Sequence, residues 1–343
     1  MSDPMRDNGV GQPASAPRRR FVQAWPWLKF ALGLGLLALL GWLVDWRRTV
    51  EILLGSNPGL VVLAGAILVL GIVVSTMKWS RLMRVVCGPL DFWPLLRAYW
   101  IGTFLNNYLP SSVGGDLMRI VVLAPMAPAA PLAASVLVER LTGAAALSVL
   151  SAACLSLHAP APVELAVALW LLIGAIAGGL AAIWAGGTSL LGAGARLLAR
   201  APGVVLRLVG KVTRVGDAVA AYRRSPGELA VAFLWSLVFY GILVLFQFTL
   251  LRAVGSTIGL REAAIVAPLV PLVAMLPVTA NGLGLAEGAF VLFYTQMGVP
   301  ADQAFAAALL RRLVTIGMSL PGCAMWLGVG RGAPSGRALE EPT

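Results

Sequence analysis

Apolar residues in this chain come in long runs, broken by short polar or basic stretches. The runs cover about residues 25–44, 59–77, 131–157, 163–184, 228–251 and 301–329. Each is long enough, at roughly 20 residues and 1.5 Å per residue, to cross the ~30 Å hydrocarbon layer of a bilayer as a helix. Two further apolar runs, about 93–109 and 262–276, are too short to cross and end in Pro- and Gly-rich breaks. The first break reads Leu109-Pro110-Ser111-Ser112-Val113-Gly114-Gly115-Asp116. The second reads Leu276-Pro277-Val278-Thr279-Ala280-Asn281-Gly282-Leu283-Gly284. Residues 186–226 differ in kind. Apolar positions recur there at helical spacing among Arg196, Arg200, Arg207, Lys211, Arg214, Arg223 and Arg224, with Asp217 the one acid among them. That pattern predicts an amphipathic helix on the cytoplasmic membrane surface.

Basic loops favour the cytoplasm, and this rule decides the topology. If 93–109 crossed fully, the basic 186–226 segment would fall outside. If 93–109 goes part way and returns through a half-helix at about 116–126, that segment falls inside. The same reasoning makes 262–276 enter part way and return through about 285–297. The prediction is an all-α polytopic membrane protein with about six full transmembrane helices and two re-entrant, broken helical hairpins. Each half then reads helix, helix, broken hairpin, charged long helix, with repeat one at about 25–157 and repeat two at about 162–330. Three full spans per half make the second copy inverted. A disordered cytoplasmic tail is expected over 1–24, a single transmembrane domain over 25–330, and a cytoplasmic tail over 331–343.

Composition supports lipid as the solvent. Hydrophobic residues make up 59% of the 343 and charged residues 12%, about half the charged share of a soluble domain. Mean hydropathy is +0.86. The net charge of +11 is read as basic loops facing anionic lipid rather than as a nucleic-acid surface. Cys87, Cys154 and Cys323 are scattered, and His158 is the one histidine; these give neither metal-ligand spacing nor a catalytic dyad. Gly282-Leu283-Gly284 lacks the context of a nucleotide loop. No cofactor is expected.

The candidate chemistry lies in charges at membrane depth. Glu139-Arg140 falls inside the run 131–157, and Arg311-Arg312 inside the last run. A charge there costs about 2.5–3.5 kcal/mol on insertion scales, so it needs a partner or a wet cavity. Asp116 and Arg119 follow the first break, and Glu287 follows the second. Pro110 and Pro277 stop helices, while Gly114, Gly115, Gly282 and Gly284 allow tight turns and close approach. Asn107 and Asn281 add polar groups. Half-helix N-termini favour anions, so with Arg140 and Arg311 or Arg312 they are expected to form one phosphate site. The carboxylates act either as salt-bridge partners or as proton carriers. Lys78, Arg81 and Arg84 are read as a basic cytoplasmic edge, with Trp79, Trp93, Tyr99 and Trp100 as an interfacial belt. Arg47, Arg48 and Arg252 are read as interfacial side chains.

The order Asn107, Leu109-Pro110, Gly114-Gly115-Asp116, Arg119, Glu139-Arg140, Pro277, Asn281-Gly282-Leu283-Gly284, Glu287, Arg311-Arg312 resembles the flippase-like transmembrane family. That family includes the membrane portion of lysylphosphatidylglycerol synthase. The resemblance covers about residues 30–330 and implies lipid translocation between leaflets, with a glycerophospholipid or a polyprenyl- or hopanoid-type lipid as cargo. The chain ends about 15 residues after its last apolar run. No soluble aminoacyl-transferase domain is therefore expected, nor tRNA-dependent lysine transfer. The leading expectation is a lipid transporter of the bacterial cytoplasmic (inner) membrane with both termini cytoplasmic, and not an enzyme. Membrane lipids and lipid-biosynthesis proteins are the expected partners, with no nucleic acid. A membrane-embedded lipid-modifying enzyme and a non-catalytic assembly partner are the alternatives.

Overall fold

The computed structural model describes residues 16–109, 114–157, 163–197 and 215–329, with backbone alone for 16–26 and 182–197. Among these residues every regular element is helical. In order they are α1 (Ala16–Leu43), α2 (Trp46–Leu54), α3 (Pro58–Cys87), α4 (Phe92–Tyr108), α5 (Gly114–Leu123) and α6 (Ala129–Leu157). Then come α7 (Val163–Leu197), α8 (Pro226–Ala253), α9 (Leu260–Val266), α10 (Leu269–Ala274), α11 (Leu285–Gln296) and α12 (Ala301–Val329). Five helices are long and apolar enough to cross a membrane, or six with the bent pair α1–α2. This is a polytopic all-α membrane protein.

Local chemistry sets the helix ends. Pro58 opens α3 behind Asn57, whose side chain accepts from Leu60 N–H at 3.2 Å, a good N-cap ahead of a proline at the first turn. Asp45 caps α2 in the same way, accepting from Arg48 N–H at 3.2 Å. There the chain turns through 95°, and α2 lies against α12. Arg48, expected as an interfacial side chain, is largely exposed and forms an ion pair with Asp302.

The centre of the bundle is α3 packed along α8, with α6 and α12 each touching both. The hairpins pack crosswise on this core. In the first, α4 lies on α12 and α5 on α6; in the second, α11 lies on α12 while α9 and α10 lie on α6. Helix α7 flanks α6, and α1 flanks α11.

The inward arm of the second hairpin was expected as one helix over 262–276. It is broken between α9 and α10, because Pro268 and Pro271 lack the N–H groups that would bond the carbonyls of Ala264 and Ala267. Neighbouring helices meet both carbonyls. Cys154 Sγ on α6 approaches Ala264 O at 3.6 Å, and Gln247 Nε2 on α8 donates to Ala267 O at 3.2 Å. Irregular backbone survives at this depth when protein satisfies its polar groups.

Two further expectations shift. Helix α1 begins at Ala16 with Pro17 in its first turn, a position that tolerates proline, so helix reaches into the expected 1–24 tail. Helix α7 runs on to Leu197, past the expected start of the amphipathic segment, of which residues 198–214 lie outside the described residues. His158, Pro110 and the 331–343 tail lie outside them as well.

Candidate functional site

The break in the first hairpin is closed by close backbone approach. A Cβ on Gly115 would collide with Gly102 O and the Asn106 side chain, so only glycine lets α5 fold back onto α4. Asn106 Oδ1 accepts from Gly115 N–H at 3.0 Å and caps the half-helix. Gly114 packs against Leu109. In the second hairpin Asn281, Gly282 and Gly284 have φ of 49°, 67° and 74°, the left-handed region that glycine and asparagine enter most readily. Gly284 abuts the backbone of Gly33 on α1. Glu287 Oε2 accepts from Gly284 N–H at 2.8 Å, as in the acidic half of a capping box. Each half-helix N-terminus is thus met by a side chain, Asn106 of α4 in the first hairpin and Glu287 of α11 itself in the second.

From these half-helices two charged clusters form. In the first, Asp116 on α5 takes both Nε and Nη2 of Arg140 on α6 at 2.9 Å, a bidentate carboxylate–guanidinium pair. Arg119, one turn further along α5, donates to Glu139 Oε2 at 2.8 Å. Its guanidinium carbon sits 3.6 Å from the centroid of the Tyr99 ring, a cation–π contact. Tyr99 OH donates to Glu139 Oε1 at 3.1 Å. Lys78 Nζ completes the cluster, donating to Glu139 O at 3.0 Å and Ser236 Oγ at 3.1 Å.

In the second cluster Glu287 on α11 is fully buried. Its Oε1 accepts from Arg312 Nε at 2.7 Å and Arg311 Nη2 at 3.1 Å. Arg311 Nε is buried and has no acceptor among the described residues. The two clusters share a spacing. Asp116 and Glu287 are each the third residue of a half-helix, and each pairs with an arginine 24 residues further on. That arginine lies in a helix of 29 residues in both cases.

Each cluster opens onto a cavity. One of about 280 Å³ is lined by Lys78, Tyr99, Glu139, Arg140, Ser236 and Tyr240, among others. The other, of about 200 Å³, is lined by Asn107, Gln247, Asn281, Arg311, Arg312 and Thr315, among others. Pro271 on α10 lines both.

The sequence-derived candidates therefore divide. Asp116, Arg119, Glu139 and Arg140 form the first cluster. Glu287, Arg311 and Arg312 form the second, with Asn281 in its cavity. Asn107 belongs to the first hairpin yet lines the second cavity and reaches Thr315 O at 3.5 Å. Gly114, Gly115, Gly282 and Gly284 shape the breaks, whereas Pro277 lies exposed in a turn. The expected single site joining Arg140 to Arg311 and Arg312 is instead two cavities on either side of Pro271. Lys78 and Tyr99 were misread. Lys78 is 7% exposed and lines a cavity rather than the cytoplasmic edge. Trp79 is fully buried and donates to Ser135 Oγ at 3.0 Å, and Trp93 stays exposed. Gln247 carried no sequence signal beyond being an amide inside an apolar run.

No solved structure matches this chain. A UPF0104 membrane protein of Pyrococcus horikoshii is 20% identical over 98 residues, which is 28% of this chain and 29% of that protein. The family described as the lysylphosphatidylglycerol synthase TM region matches residues 27–322, a span that includes both hairpins and both clusters. The chain belongs to the lysylphosphatidylglycerol synthase transmembrane-region family.

Proposed function

We propose that this protein is a lipid transporter of the flippase type, moving a lipid with a charged headgroup between the leaflets of a bacterial cytoplasmic membrane. Both termini would face the cytoplasm, where the charge of the loops favours them. One observation carries the reading: two charged cavities meet at Pro271, each built on a broken hairpin. Arg140 lies 11 residues into α6 and Arg311 ten residues into α12, which is about 15–17 Å at 1.5 Å per residue. In this reading both cavities fall near mid-membrane. Paired, Gly/Pro-interrupted segments around a midplane site are the mark of transporters built from inverted repeats. The matching half-helix acid and its arginine 24 residues on support such a repeat here, as does the crosswise packing of the hairpins. A headgroup would pass through the cavities while its tails stay in lipid, and the protein catalyses no covalent step in this reading. Membrane lipids are its partners.

Reconstitution in proteoliposomes with labelled lipids tests the reading. Transbilayer movement above that of protein-free vesicles is expected, with a loss in Arg312→Ala. Movement equal to empty vesicles for glycerophospholipid and isoprenoid-linked lipids alike would reject it.

A further inference from the structure

Among the described residues no carboxylate pairs with Lys78, which lines the first cavity. Lys78 Nζ bonds a backbone carbonyl and a hydroxyl, and neither carries charge. The Glu139 carboxylate is taken by Arg119 and Tyr99, and that of Asp116 by Arg140. Three cations thus stand against two carboxylates. In the second cavity two arginines share the single carboxylate of Glu287, and Arg311 Nε is buried without an acceptor among the described residues. Each cavity carries one positive charge in excess, and at buried Lys78 an unmatched charge is costly. One entering negative charge completes either cluster. A zwitterionic headgroup brings a cation in with its phosphate and leaves the excess in place.

The two cavities share a lining residue. Pro271 lines both, and it sits in α10, a six-residue helix that begins at a break. An apolar groove of about 440 Å³ lies along α6, α7 and α8, lined by Val138, Leu141, Leu229 and Phe233 among others. It is of a size and character to take hydrocarbon beside the Lys78 cavity.

We propose that the two cavities are successive stations for one lipid headgroup bearing a single negative charge, a phosphodiester, and that Lys78 selects that charge at the first station. This rests on the transport reading above. The headgroup passes from Lys78 and Arg140 to Arg311 and Arg312 across Pro271, and at each station it supplies the missing counter-charge.

Native mass spectrometry of the full chain in a neutral detergent tests the assignment, using equal amounts of phosphatidylglycerol and phosphatidylcholine. Wild type is expected to favour phosphatidylglycerol by about tenfold, the weight of ~1.4 kcal/mol. Lys78→Met should abolish the preference and Lys78→Arg should keep it. Equal binding of the two lipids by wild type, or a Lys78→Met protein with its preference intact, would overturn the proposal. If Lys78→Met does not fold, Lys78→Gln, which keeps a hydrogen-bond donor without the charge, takes its place under the same criterion. Glycerophosphoglycerol, the same headgroup without tails, should compete weakly; competition equal to the lipid would overturn the assignment to a lipid. The two readings fail separately. Selective binding without movement in proteoliposomes would remove transport and leave the charge selection. Phosphatidylcholine moved as fast as phosphatidylglycerol would do the reverse.

Discussion

The two charged clusters answer one spacing with opposite designs. In the second, a single carboxylate, Glu287, sits fully buried and holds Arg311, Arg312 and the N-terminus of its own half-helix. In the first, the work is shared. Asp116 takes Arg140 at the cavity, where the arginine side chain is 53% exposed, and Glu139 takes Arg119 beneath Tyr99. A buried ion pair broken on one side leaves an uncompensated charge, whereas an exposed one costs little. The second cluster thus depends on one residue, and the first has reserves. Equivalent positions in the two hairpins are therefore not equivalent in energy.

The largest effect is expected at Glu287. In Glu287→Gln the amide oxygen can still meet one donor, but two part-buried guanidinium groups lose their only carboxylate. Loss of about 3–5 kcal/mol follows from breaking a buried pair on one side, read as a lower midpoint of thermal unfolding in detergent. A midpoint near wild type would mean that water reaches both arginines, and the contrast between clusters would fall.

Glu139→Gln comes next. Arg119 keeps the Tyr99 ring, and Asp116 Oδ1 remains at 3.9 Å from its Nε. A smaller loss of about 2–3 kcal/mol is expected for a buried group with partial compensation. The ratio of the two midpoint shifts measures how far the load is spread. Equal shifts would show that the first cluster has no reserve.

Much of this was legible in the chain, and the limits have physical causes. Helix length and charge asymmetry gave the spans and both hairpins, because the bilayer imposes a fixed length and leaves few alternatives. The pairing of Asp116 with Arg140 and of Glu287 with Arg311 was foreshadowed by charges following each break. Lys78 was lost because a lysine at the end of an apolar run looks like its neighbours Arg81 and Arg84. Its burial comes from α6 and α8, which sequence position does not reveal. The interfacial belt failed at Trp79 and Tyr99 for the same reason: the side chains turn inward, where Ser135 and Glu139 accept their hydrogen bonds. Two sites were merged into one because Pro271, the wall between them, lies in a run read as uninterrupted helix.

Gln247 sharpens the comparison at a third point. It bridges Ala267 O and the Tyr294 hydroxyl, tying α8 to the break before α10 and to α11. In Gln247→Leu both groups lose their partner, at a cost of about 1–2 kcal/mol for buried polar atoms left unmet. Faster amide hydrogen exchange is expected in α9 and α10 but not in α4 and α5. Equal protection of both hairpins would mean that the prolines tolerate the break without help.

The smallest effect on stability, and the most telling contrast, is expected at Asp116. Asp116→Asn removes the counter-charge of an arginine that is half exposed, so the change should stay within about 1 kcal/mol. Its counterpart Glu287→Gln, at the same place in its half-helix, should cost several times that. The consequence for the cavity is different. Arg140 set free raises the excess charge of the first cluster, and an anionic headgroup is then held more firmly than at the second. Transbilayer movement of labelled phosphatidylglycerol should slow although the fold is intact, with binding in detergent tightened rather than lost. If Asp116→Asn instead unfolds as readily as Glu287→Gln, the arginine is sealed from water, and the two clusters are alike in energy as well as in spacing.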